Sequence, residues 1–136
     1  MVSSAVDIIK EMLLREFPAL QAVYIFGSRA VEQQNAESDF DIAFLQPVGQ
    51  SPAPSRLFNI QELLASRLKT DVDLVDLSAA SLVLKFQIIS TGNLIYCQDG
   101  FNATQFEMTV MSMYQRFNLE RASLISQTKR TGRIYS

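Results

Sequence analysis

The sequence predicts an α+β domain in which β-prone runs alternate with helical stripes and one long helix closes the chain. Three observations carry this. Two short apolar runs, Ala22-Val-Tyr-Ile-Phe26 and Phe40-Asp-Ile-Ala-Phe-Leu45, read as strands. Apolar residues recur at helical spacing before, between and after such runs. The length of 136 residues fits one domain, with a core about 20–98, a helix about 102–127 and a basic tail 128–136.

The elements follow in order. Ser3 or Ser4 caps a first helix carrying Ile8, Ile9, Met12, Leu13 and Phe17, which Pro18 ends. Strand one spans about Ala22–Phe26. Gly27 and Ser28 open a turn with a short helix over Ser28–Glu32, and Gln33–Ser38 is a polar loop. Strand two runs from about Asp39 to Leu45. A Pro/Gly/Ser-rich surface connection, Pro47–Pro54, leads to a helix over about Ser55–Lys69, with Leu57, Ile60, Leu64 and Leu68 on one stripe. Strand three is Asp71–Asp76. Ser78 is expected to cap a helix through about Ser90 that Gly92 stops. Asn93–Cys97 forms a fourth extended run and Gly100 breaks the chain. The long helix carries Phe106, Val110, Met113, Phe117, Leu124 and Ile125; its methionines Met108, Met111 and Met113 read as core or as a partner-facing surface.

Composition removes several function classes. Hydrophobic residues make up 48% of the chain, and no run reaches the ~18 apolar residues of a membrane span. The start of the chain is not a signal peptide. The net charge of −2 gives no global attraction to nucleic acid, although the basic tail offers a local patch for RNA or an acidic partner. The lone cysteine, Cys97, forms no internal disulfide, which fits a reducing cytoplasm, and its apolar run argues for a buried, inert thiol. The absence of histidine excludes Ser-His-Asp triads and His-ligated zinc.

The chemistry concentrates between Gly27 and Asp41. Strand alternation sends Asp39 and Asp41 to one face and Phe40 and Ile42 to the other. Like charges so close raise one another's proton affinity, and a cation between them relieves this. If strand three is a neighbour, Asp73 adds a third carboxylate; Asp71 shares its face and is a rival, whereas Asp76 suits a cap before Ser78. Hard oxygen donors without His or Cys suit magnesium or manganese. Gly27 permits a sharp turn and close approach of backbone to a ligand, Ser28 and the amides after it suit an anion, and Arg29 neutralises phosphate charge. The reaction class is nucleotidyl transfer: attack on the α-phosphate of a nucleoside triphosphate with loss of pyrophosphate. Singly, a Gly-Ser pair is a turn and an Asp-x-Asp a solvated strand edge. Their combined spacing arises by chance in roughly one chain per thousand of this length and composition.

The pattern Gly27-Ser28, ten residues, Asp39-Phe40-Asp41, then Val72-Asp73-Leu-Val-Asp-Leu77 resembles the DNA polymerase β-like nucleotidyltransferase superfamily. The chain's size resembles the minimal nucleotidyltransferase (MNT) branch. Ile88–Tyr96 is similar to the segment closing that domain. Val31-Glu32 departs from the Gly or basic residues many relatives carry there. The resemblance implies a mixed sheet flanked by helices, magnesium, and ATP as substrate. It implies that Gly27 and Ser28 hold the triphosphate, that Asp39 and Asp41 bind both metals, and that Asp73 is the third carboxylate, helping the attacking hydroxyl. Chains of this size resemble the antitoxin half of HEPN/MNT toxin–antitoxin pairs, in which AMP is placed on a tyrosine of a HEPN ribonuclease toxin. Two alternatives are a binding antitoxin that occludes its toxin without catalysis, and a small-molecule, aminoglycoside-type nucleotidyltransferase.

Overall fold

The computed structural model describes residues 4–27 and 39–130. The expected turn helix Ser28–Glu32, the loop Gln33–Ser38 and the end of the tail, 131–136, lie outside the described residues.

The order of elements is α1 (Ala5–Glu16), β1 (Ala22–Phe26), β2 (Phe40–Leu45), α2 (Pro54–Leu68), β3 (Val72–Asp76), α3 (Leu82–Thr91), β4 (Asn93–Cys97) and α4 (Ala103–Arg130). The Ser4 hydroxyl accepts from the amide of Asp7 and so caps α1, and Asn102 caps α4 by accepting from the amide of Gln105. Pro54 begins α2, where its missing N–H costs nothing. At the far end of α2 Lys69 takes a left-handed conformation, φ 57°, and its amide reaches the carbonyl of Ala65.

The four strands form one mixed sheet in the order β3-β2-β1-β4. β1 runs antiparallel to β2 and β4, whereas β2 and β3 are parallel, joined by the α2 crossover. Strand alternation divides the core into two layers. On one face Val23, Ile25, Phe40, Ile42, Phe44, Val72 and Leu74 pack against Ile9, Leu13 and Phe17 from α1 and against Ile60 and Leu64 from α2. On the other, Ala22, Tyr24, Ala43 and Leu45 meet Ile88 and Ile89 of α3 and Val110 of α4. The buried Tyr24 hydroxyl donates to Glu107 Oε2 at 2.6 Å and ties α4 to the sheet. Phe86 stacks on Tyr114 with ring centroids 3.9 Å apart, which joins α3 to α4.

Three expectations need correction. Ser78 does not cap α3. Asp76 accepts from both the amide and the hydroxyl of Ser78, closing a short 3-10 turn, Leu77–Ala79, and Ser81 caps α3 by accepting from the amide of Leu84. Cys97 is exposed, not buried: β4 is an edge strand, and its last residue lies beyond the cover of either layer. The methionines of α4 are surface, with Met108 62%, Met111 39% and Met113 48% exposed, so the core reading of that stripe is excluded.

Candidate active site

The site lies where β1 ends and β2 begins. β1 and β2 bring Phe26 opposite Asp41, so Gly27 follows directly beside that carboxylate. Gly27 has a φ of 76°, in the left-handed region that favours glycine. A second constraint is steric: a Cβ on Gly27 would fall 2.0 Å from Asp41 Oδ2. The glycine thus gives the chain its bend and leaves the volume that the aspartate side chain occupies.

β2 supplies two carboxylates and β3 the third. Asp39 is exposed and immediately precedes β2, and Phe40 between the two aspartates is buried in the opposite layer. Asp41 is the direct partner of Asp73 in the parallel β2–β3 pairing. The carboxyl of Asp41 is pushed up from its ordinary value, first by burial, then by the charges of Asp73 and Asp39. The three aspartates therefore share one electrostatic environment. Asp71 is exposed and precedes β3, and its carbonyl accepts from the amide of Phe40. Asp76 is buried and engaged with Ser78, which makes it a cap. Ser28 and Arg29, the expected triphosphate contacts, lie outside the described residues.

The donor set fits a hard divalent cation, since it consists of carboxylate oxygens alone and the chain has no histidine. Among the described residues no group of three or more acidic, His or Cys side chains is drawn together so as to enclose an ion unaided. That is compatible with an ion whose shell is completed by water and by phosphate oxygens. The three aspartates named from the sequence thus lie near one another; the sequence did not single out the Tyr24–Glu107 bond, nor Gln61, whose side chain reaches β3 from α2. Neither carries a spacing signal, because each depends on which helix lies against which strand.

The family model "Polymerase beta, Nucleotidyltransferase" matches residues 8–101. The chain is 39% identical to the protein adenylyltransferase MntA of Shewanella oneidensis over 119 residues, covering 83% of this chain and 80% of that protein. It is 28% identical over 107 residues to the protein adenylyltransferase MntA of Aphanizomenon flos-aquae, covering 73% of this chain and 71% of that protein. Among solved structures, a toxin–antitoxin with AMP-PNP superposes with a TM-score of 0.79 at 33% identity, over 91% of this chain and 98% of that one. A complex of tri-AMPylated Shewanella oneidensis HEPN toxin with MNT antitoxin superposes with a TM-score of 0.74 at 31% identity, over 92% and 96% of the two chains. Among the described residues no helix is long and apolar enough to cross a membrane.

Proposed function

We propose that this chain, which belongs to the polymerase beta nucleotidyltransferase family, is a protein adenylyltransferase that moves AMP from ATP to a tyrosine hydroxyl of a HEPN-type ribonuclease toxin and so neutralises it. The observation that carries this is the pairing of Asp41 with Asp73 beside Gly27. The relatives named as protein adenylyltransferases and the AMP-PNP and AMPylated-toxin complexes support the choice of nucleotide and of acceptor.

In the reaction a bond forms between the tyrosine oxygen and the α-phosphorus, the bond to the β-phosphate oxygen breaks, and pyrophosphate leaves with the displaced electron pair. Asp39 and Asp41 would hold the divalent ions, and Asp73 would complete one site and accept the proton of the incoming hydroxyl. Magnesium, or manganese, held there would supply charge that makes the hydroxyl more acidic and stabilises the leaving oxygen. Gly27 opens the turn onto the triphosphate, with Ser28 and Arg29 as its phosphate contacts. The reaction takes place in the cytoplasm, within a single domain formed by residues 1–136.

Asp39 and Asp73 are exposed, so the toxin would cover the nucleotide and deliver the hydroxyl. α4 offers an apolar surface for it, with Leu119 and Leu124 more than 60% exposed. That surface also favours a second reading, in which docking alone silences the toxin. Radiolabelled ATP separates the two. Asp39→Asn or Asp41→Asn should abolish labelling of the toxin while the complex still forms. Unchanged labelling removes the proposal, and a dead variant that still protects cells in full favours occlusion.

A further inference from the structure

We propose that Gln61, on α2, is a positioning residue for the third carboxylate, Asp73, acting through the backbone of β3; this rests on the nucleotidyl-transfer reading above. Among the described residues β3 is an edge strand, with β2 on one side and no strand on the other. The carbonyl of Asp71 accepts from the amide of Phe40 in β2, so the backbone groups of Asp71 face the sheet. Two-residue alternation turns those of Asp73 the same way and directs the amide of Leu74 outward. An outward amide on an edge strand has no ladder partner, and such edges open locally more readily than central strands. Here the Leu74 amide donates instead to Gln61 Oε1 at 2.8 Å, a partly buried bond between residues thirteen apart in sequence.

The consequence falls on Asp73. The peptide unit that joins it to Leu74 is held at the Leu74 nitrogen by Gln61, while Asp73 itself stands opposite Asp41 in the register with β2. Its side chain leaves the strand on the face away from α2, whereas that of Leu74 packs on the α2 face. Gln61 therefore belongs to the helix on the face of the sheet opposite the Asp73 side chain, and its bond is to backbone. It fixes the rotation of the peptide plane that aims the carboxylate. A displacement of the order of 1 Å at a catalytic group can cost about a hundredfold in rate, so a bond that limits such movement has kinetic weight.

Gln61→Met keeps length and volume and removes the acceptor; Gln61→Glu keeps an acceptor oxygen; Glu62→Gln, an exposed neighbour on the same helix, is the control. The full chain is measured with its toxin for AMP transfer, and alone for manganese affinity and for amide exchange by NMR. In Gln61→Met, kcat should fall about tenfold with the KM for ATP nearly unchanged, manganese should bind several-fold more weakly, and exchange of the Leu74 amide should accelerate. Gln61→Glu should recover most of each, and Glu62→Gln should move none. In an Asp73→Asn background, Gln61→Met should lower kcat no further than about twofold, because the group it aims is gone. An equal drop in both backgrounds, or faster Leu74 exchange with kcat and manganese affinity unmoved, assigns Gln61 a purely structural role and overturns the proposal. Failure of the function reading looks different: the parent chain then transfers no AMP, while manganese affinity and Leu74 exchange still decide the role of Gln61.

Discussion

Asp41 and Asp73 stand directly opposite each other on adjacent parallel strands, and Gly27 leaves the space that the Asp41 carboxylate fills. One like-charged pair thus links the bend after β1 to the edge of the sheet. Its cost is visible on Asp41, whose carboxyl takes up a proton more readily than usual because it is partly buried and faces Asp73 and Asp39.

A pH dependence follows from that shift. A carboxyl whose folded pKa is raised contributes stability that is fully present below its unfolded pKa and is lost as pH rises through the folded value. Metal-free protein should therefore lose this contribution as Asp41 ionises above the ordinary carboxylate range. Divalent cations bind only the ionised form, so their affinity should rise over the same interval and their binding should offset the loss. Chemical denaturation against pH, with and without manganese, checks both signs; Asp41→Asn should remove the dependence.

Gly27→Ala should be damaging twice over. The left-handed conformation costs about 1 kcal/mol or more for a residue with a Cβ, and the added carbon must push the Asp41 carboxylate aside. AMP transfer should fall at least about a hundredfold by displacement of the carboxylate proposed to bind the metal. The fold should survive with a lower denaturation midpoint, which urea titration and transfer kinetics measure together.

Gly92 is under a different constraint. Its φ of −84° is ordinary, yet a Cβ there would meet the carbonyl oxygen of Ile88 at 2.5 Å and that of Ile25 at 3.1 Å. Gly92→Ala should destabilise the chain by about 1–3 kcal/mol through crowding between the end of α3 and β1, with the KM for ATP little changed.

Tyr24 and Glu107 should respond unequally to substitution. Tyr24→Phe removes the donor and leaves Glu107 access to water, at about 1 kcal/mol. Glu107→Leu strands the hydroxyl of Tyr24, which is 1% exposed, and should cost about 1–3 kcal/mol. Denaturation midpoints of the two variants and of the double variant test that asymmetry, the double being less destabilised than the sum.

Much of this architecture was legible in the sequence because local signals and tertiary demands agree. The apolar runs at Ala22–Phe26 and Phe40–Leu45 are strands because β1 and β2 are central and buried on both faces. The alternation of Asp39, Phe40, Asp41 and Ile42 gave the sidedness of the site for the same reason. Legibility ended where a choice depended on neighbours. Ser78 and Ser81 are equally good caps by composition, and only the carboxylate of Asp76 decides between them. Asp71 and Asp73 share a strand face, and register with Asp41 decides between those. Cys97 sits in an apolar run but at a sheet edge, a position that no local pattern encodes. Gln61 and Glu107 lie on helices whose polar residues look alike until the strands beneath them are known.

The most direct test is the intact mass of the toxin after co-expression with this chain. The parent chain should leave the toxin heavier by whole adenylyl units, localised to tyrosine, and Asp41→Asn should leave it unmodified although still bound. A toxin of unmodified mass with the parent chain, or equal modification with Asp41→Asn, would contradict the assignment of catalysis to the carboxylates of β2 and β3.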